Sequence, residues 1–227
     1  MTDMTLTTYP DLVQGSQEWL DARRGIVTAS TISKLLTPQL KVADNDTSRG
    51  LINTLAAERI TGNVDYVYPS FDMQRGTERE PYARQYYADT HSPVTEMGFM
   101  VRDFGGYVIG YSPDGLVGED GLVEIKSPRA KEHLRTILAN DVPAQYMAQC
   151  QTGLLVSGRD WLDYVSFCPG MPLWTKRVHP DHAWSDALKE AADIAESRIQ
   201  SVTAMYEASV IGLPATEAIP ELEEIVI

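Results

Sequence analysis

Ser112-Pro-Asp-Gly115, followed by Glu124-Ile-Lys126, puts two carboxylates and an amine on a short segment that apolar alternation alone would make an ordinary strand pair. Asp114 and Glu124 offer hard oxygen ligands suited to Mg²⁺, a cation that keeps several waters and often binds substrate phosphates as well. The backbone carbonyl of Ile125 could add another ligand. Lys126 could position or deprotonate an attacking water, or neutralise charge on a pentacovalent phosphate. Metal-assisted phosphodiester hydrolysis uses these parts, often with two ions about 3.5–4 Å apart. A solvated surface hairpin would show the same spacing, so the pattern needs support from elsewhere in the chain.

Such a trio works only if strands bring it together. Tyr107–Tyr111 reads as a strand running into Ser-Pro-Asp-Gly, where Pro fixes φ and Gly is free to go positive. Glu119-Asp-Gly121 is a second turn, and Leu122–Lys126 a second strand. Side chains alternate along a strand, so Leu122, Glu124 and Lys126 share one face, and folding back at 119–121 carries them beside Asp114. Further strands are expected at Thr95–Arg102, Trp161–Cys168 and Leu173–Val178. Helices are expected over Gly15–Arg24, Thr28–Leu36, Thr47–Thr61, from near Glu80 through Ala88, and over Arg129–Leu138, Pro143–Val156 and Asp181–Tyr206, with a loop at 37–46. Helices, then a mostly consecutive sheet, then helices make an α/β (α+β) domain, a central mixed β-sheet flanked by helices. Residues 1–206 form one expected domain, with an exposed acidic tail over 207–227.

Three further groups could support the trio. Arg23, Thr28 and Ser30 would surround the start of the second helix, where free N–H groups and the helix dipole favour a phosphate; an ordinary cap beside a surface Arg would look the same. Glu80, placed at a helix mouth, would have its pKa depressed by the dipole, or serve only as a good first-turn residue. Tyr146 and Gln149, three apart, share a helix face and could orient a water or a phosphate, or be satisfied by backbone. His179-Pro-Asp-His182 lacks a third ligand and reads as a helix start, and Gly105-Gly106 lacks the Gly-Lys-Ser/Thr of a phosphate loop.

Composition sets limits. The chain has 227 residues, a hydrophobic fraction of 43%, and no apolar run of the ~18 residues a membrane span needs. The first residues lack a basic and apolar export signal, and two cysteines, Cys150 and Cys168, suit a reducing cytoplasm and cannot ligate a four-cysteine cluster. Net charge is −13, unfavourable for binding nucleic acid. The imbalance is uneven: residues 1–140 carry 14 basic and 19 acidic groups, residues 141–227 carry 5 and 13. Bound DNA would therefore meet a local basic channel, with Arg24, Lys41, Arg49, Arg75, Arg79, Arg129, Lys131 and Arg135 as candidates for its lining.

Taken in order, Trp19-Leu-Asp-Ala-Arg23-Arg-Gly-Ile-Val-Thr-Ala-Ser30, Leu55-Ala-Ala-Glu-Arg-Ile-Thr-Gly62, Gly76-Thr-Glu-Arg-Glu80, Ser112-Pro-Asp114-Gly, Glu124-Ile-Lys126 and Tyr146-Met-Ala-Gln149-Cys-Gln151 resemble the lambda-type phage exonuclease, or YqaJ-like viral recombinase, family of PD-(D/E)XK nucleases. The resemblance implies a restriction-endonuclease-like core in which Asp114, Glu124, the Ile125 carbonyl and Glu80 hold Mg²⁺, two ions per site with Mn²⁺ able to substitute. Lys126 would act on the attacking water, with Tyr146 and Gln149 in support. Arg23 and Ser30, with Thr28 and Ser112, would hold the 5′-phosphate of a duplex end, and Met73 falls where a wedge residue separates the strands. The family degrades linear duplex DNA from the 5′ end as a ring-shaped homotrimer and hands the 3′ single strand to an annealing protein. That implies a phage or prophage enzyme of recombination in the bacterial cytoplasm, with no membrane partner. Ser127 stands where a Cys often follows the Lys. A structure-specific or single-strand nuclease of the same fold, or a non-catalytic DNA-end or partner-binding module, is the alternative.

Overall fold

Short polar side chains and β-branched runs mark out the elements of this computed structural model, which describes residues 5–64, 68 and 70–217. Along the chain they are β1 (Leu6–Tyr9), α1 (Gln17–Arg23), β2 (Val27–Thr28), a 3-10 turn (Ile32–Leu35), α2 (Asp46–Thr61), α3 (Phe71–Thr90), β3 (Phe99–Asp103), β4 (Val108–Tyr111), β5 (Gly115–Val117), β6 (Gly121–Lys126), α4 (Ala130–Ala139), α5 (Ala144–Ser157), β7 (Trp161–Ser166), β8 (Trp174–Val178) and α6 (His182–Ser209). Side chains of Ser16, Asn45, Ser70 and Asp181 accept first-turn amides of α1, α2, α3 and α6, as N-cap residues do.

The α/β class and mixed strand directions are as expected, but the strands divide into two four-stranded sheets, ordered β1-β3-β4-β2 and β5-β6-β7-β8. The break falls at Ser112–Asp114, between β4 and β5, and an isolated Thr95–Leu116 bridge lies beside it. Within the second sheet β5 and β6 are antiparallel with Gly115 opposite Val123, β6 and β7 are parallel, and β7 and β8 are antiparallel. This sheet is covered on both faces. Leu122, Leu162 and Tyr164 join the large core formed with α2, α5 and α6; Val123, Ile125 and Val165 pack with Ala83 and Tyr87 of α3 in a smaller one.

Two expected elements are corrected. The helix over Thr28–Leu36 does not form: Val27 and Thr28 pair in parallel with Ile109 and Gly110, and only Ile32–Leu35 makes a helical turn. β-branched residues suit that edge better than a helix interior. The helix expected to start near Glu80 starts at Phe71, and Pro81 lies in its interior. Proline forfeits one helical hydrogen bond there, but burial of Ala83 and Tyr87 keeps the helix intact. Tyr87 also donates to the buried Asp163 at 2.7 Å, and Arg177 grips the same carboxylate through two contacts of 2.9 Å, which fixes α3 against the sheet.

No helix among the described residues is long and apolar enough to cross a membrane. α6 runs past the expected boundary at 206; residues 210–217 follow it largely exposed, and 218–227 of the expected tail lie outside the described residues.

Candidate active site

The break between the sheets creates the site. Past the last β5–β6 pair the Ile125 N–H finds a side chain: the Asp114 carboxylate accepts it at 2.5 Å, which fixes the Asp beside the end of β6. From β6, Glu124 points into the protein and is 0% exposed, while Lys126, two residues on along the same face, is 24% exposed. Three donors converge on Glu124: Lys126 Nζ at 2.6 Å, Gln149 Nε2 at 2.5 Å and the Tyr111 hydroxyl at 3.2 Å. Tyr146, one helical turn before Gln149 on α5, lies with its ring centroid 5.6 Å from the Lys126 ammonium.

Glu80 joins from α3. Arg84, one turn further on, binds the Glu80 carboxylate and donates through Nε to the Asp114 carbonyl at 2.9 Å. The expectation of a depressed Glu80 pKa is corrected, because the carboxylate is in mid-helix, far from any dipole end. Burial raises its pKa, Arg84 opposes the rise, and Glu124 adds to it. Asp114 is raised well above the carboxylate range, by burial first and then by Glu124. Burial pulls the Lys126 pKa down, but Glu124 and Asp114 outweigh it and hold the amine protonated.

The Arg23 group forms a second cluster, although not at an α-helix start. Arg23 Nη2 lies 3.4 Å from Thr28 Oγ1 and 3.3 Å from Ser30 Oγ, and the two hydroxyls are 3.1 Å apart. The guanidinium stacks over Trp19 at 3.8 Å, and Trp19 Nε1 donates to Ser112 Oγ at 2.9 Å, next to the Pro113-Asp114 turn. Burial lowers the Arg23 pKa to about 10, against the attraction of Glu58, so it stays charged at neutral pH.

A cavity of about 810 Å³ unites the clusters. Asp114, Ile125, Lys126, Glu80, Tyr146, Gln149, Arg23, Thr28, Ser30, Ser112 and Met73 all line it; Glu124 is sealed behind Lys126, Gln149 and Tyr111. Of the arginines expected along a channel, Arg75, Arg129 and Arg135 are in this wall, whereas Arg24 and Arg49 are tied to Asp21, Asp44 and Asp46 elsewhere.

Sequence reasoning missed Tyr111, Arg84 and Trp19 as site components. Arg84 carried a signal, its spacing of four from Glu80, that a longer α3 would have made legible. Tyr111 and Trp19 act across the fold, with no local signature. Tyr164 also lines the cavity, and its hydroxyl is buried with no hydrogen-bond partner among the described residues.

Among the described residues no three His, Cys, Asp or Glu side chains converge as a finished metal cage. The donor chemistry nevertheless fits a hard divalent cation, which takes one or two carboxylates and completes its shell with water and phosphate. Asp114 and Glu124 are two desolvated carboxylates, and the Lys126 ammonium and Gln149 amide occupy Glu124 lone pairs that a cation would take.

The family description for the YqaJ-like viral recombinase domain matches residues 18–160. Among solved structures, an alkaline exonuclease (LHK-Exo) from Laribacter hongkongensis is similar at 30% identity, with a TM-score of 0.77, over 88% of this chain and 100% of that one. The same exonuclease in complex with dAMP gives 31% and 0.76, with the same coverage. A phage-related exonuclease from Haemophilus somnus 129PT, 14% identical with a TM-score of 0.63 over 80% of this chain and 96% of its own, shares the fold. No curated protein matches.

Proposed function

The chain belongs to the YqaJ-like viral recombinase domain family, and we propose that it is a metal-dependent DNA exonuclease that digests linear duplex from the 5′ end. The observation that carries this reading is the shared cavity. It holds a carboxylate–lysine centre suited to phosphodiester hydrolysis and, across Trp19 and Ser112, an arginine–hydroxyl cluster suited to a terminal phosphate. The dAMP held by the similar alkaline exonuclease is of the product class such cleavage releases.

In this reading Asp114, Glu124, the Ile125 carbonyl and Glu80 hold Mg²⁺, with Mn²⁺ as a substitute and two ions per site. The cation, when bound, supplies Lewis-acid neutralisation at the phosphoryl group. The chain's own residues do the rest. Tyr111 and Gln149 orient Glu124, and protonated Lys126 stabilises negative charge developing on the phosphate. Arg84 holds Glu80 against the Asp114 turn. Arg23, Thr28 and Ser30 fix the 5′-phosphate in the same cavity as the centre, and Met73 parts the strands. A closed homotrimer would reconcile net charge −13 with a firm hold on DNA, because heterologous contacts would close a ring that confines the duplex and turn Arg75, Arg129 and Arg135 of several subunits toward one lumen. The 3′ single strand would pass to an annealing protein during phage-type recombination in a bacterial cytoplasm.

The deciding assay compares 5′-phosphorylated linear, 5′-hydroxyl linear and closed circular duplex, each with Mg²⁺ and with EDTA. Expected are fast digestion of the phosphorylated linear form, slower digestion of the hydroxyl form, and none of the circle or in EDTA. Cutting of the circle would make the protein an endonuclease, and binding without cutting a DNA-end module. Light scattering should give the mass of three chains.

A further inference from the structure

Two arginines of the cavity wall share one carboxylate. Asp72, in the first turn of α3, binds Arg75 from its own helix and Arg129, the residue before α4, through Nη2 at 3.0 Å and Nε at 3.3 Å. The Asp72 and Arg129 side chains are 58% and 69% exposed, so their pairing adds little to stability. Arg75 differs: its side chain is 13% exposed, and its Nε is buried without an acceptor among the described residues. A buried guanidinium nitrogen in that state is under-satisfied, and two guanidinium forks converging on one anion are how proteins grip a phosphate. Arg75 and then Arg129 hold the Asp72 carboxyl below the usual carboxylate range, so the shared group is anionic near neutral pH.

The position matters as much as the charge. Asp72 precedes Glu80 by eight residues on α3, a rise of about 12 Å. That equals roughly three to four nucleotides of a duplex strand. The arginine pair is therefore set off along α3 from the carboxylate–lysine centre, within the same cavity.

We propose that Arg75 and Arg129 form a backbone-phosphate site for the DNA strand leading to the carboxylate–lysine centre, and that Asp72 occupies this site in the free protein as an internal phosphate mimic that DNA must displace. The proposal rests on the nuclease reading. It explains why strong cations in a DNA channel are kept paired with a carboxylate at the surface. Exchanging carboxylate for phosphate lowers affinity for stray nucleic acid and admits a strand that is already presented along the groove.

The test is fluorescence anisotropy of a labelled 5′-phosphorylated duplex in EDTA, with salt varied from about 50 to 200 mM. Each phosphate contact contributes about 0.9 to the slope of log affinity against log salt. Arg129→Ala should weaken binding and flatten the slope by about 0.9, so that the loss of affinity across this range is about 3.5-fold smaller than for the wild type. Asp72→Asn should bind several-fold tighter at every salt concentration with an unchanged slope, and this gain should shrink in the Asp72→Asn/Arg129→Ala double variant. Both side chains are exposed, and melting curves of the variants check that they fold. A wild-type slope for Arg129→Ala, or no tightening by Asp72→Asn, refutes the site while leaving the nuclease reading intact. Absence of salt-dependent duplex binding by the wild type removes that reading and the site with it.

Discussion

Arg84 donates through Nε to the backbone carbonyl of Asp114 at 2.9 Å, which ties the middle of α3 to the turn that separates the two sheets. The same guanidinium binds Glu80 and reaches Glu96 at 3.0 Å, and the Arg84 side chain is 16% exposed. Arg84 is thus a positioning residue for two of the carboxylates in the site. Arg84→Ala should cost about 1.5–3 kcal/mol of stability, the scale of hydrogen bonds to charged groups. It should also lower digestion at least roughly tenfold, because Glu80 would lose its counter-charge beside Glu124. Arg84→Lys should recover part of the stability but little of the geometry, since an ammonium cannot span both acceptors in one plane. Urea unfolding together with initial rates would check this; an unchanged rate for Arg84→Ala would remove the positioning role.

Asp114 sets stability against function. Its pKa is raised in the folded protein, by burial first, so the metal-free fold is most favoured with Asp114 protonated. That contribution is present below the ordinary carboxylate pKa and is lost as pH rises through the raised folded value. At pH 8 in EDTA, Asp114→Asn should therefore melt a few degrees above the wild type, the shift that roughly 1 kcal/mol produces at this chain length. Its amide oxygen can still accept the Ile125 N–H. The same substitution should abolish hydrolysis. A lower melting temperature under these conditions would contradict the assignment of strain to this carboxylate.

Lys126 and Glu124 test the centre itself. Lys126→Ala should slow cleavage about 10²–10³-fold, as loss of one preorganised stabilising group does, with duplex binding retained. Glu124→Gln should eliminate cleavage. Its carbonyl oxygen can keep the Lys126 and Gln149 donors while its NH₂ turns to the Tyr111 hydroxyl, but the charge that pairs with the Lys126 ammonium is lost, so a lower melting temperature is expected too. Single-turnover rates and binding isotherms separate the two effects.

Arg23 should govern the choice of end. On the proposed reading Arg23→Ala removes the charge-assisted contact to a terminal phosphate, worth about 1.5–3 kcal/mol, so the preference for 5′-phosphate over 5′-hydroxyl duplex should fall roughly ten- to a hundredfold. Trp19→Phe keeps a ring under the guanidinium but deletes the hydrogen bond to Ser112, and should lower the rate on both ends alike. Equal losses on both ends for Arg23→Ala would assign Arg23 to folding or general affinity.

The sequence by itself determined the elements whose causes are local. Turn residues at Glu119–Gly121 and apolar alternation in Leu122–Lys126 were sufficient to place β6 and to set Glu124 and Lys126 on one face, although the strand expected beside it, Tyr107–Tyr111, pairs in the other sheet and the unexpected β5 takes that place. Caps and periodicity placed α2 and α6 for the same reason, since a side chain bonding its own helix end needs no distant partner. What only the tertiary structure decided depends on groups far apart in the chain. Pro81 reads locally as a helix start, yet burial of Ala83 and Tyr87 and the Tyr87–Asp163 bond carry α3 through it, and Glu80 becomes a desolvated carboxylate in place of a dipole-stabilised one. Tyr111 on Glu124, Arg84 on Asp114, Trp19 on Ser112 and Asp72 on Arg129 join residues from separate elements. Spacing along a chain encodes which side chains share a face. It does not encode which faces meet, because that follows from how the sheets and helices bury their apolar surfaces against one another.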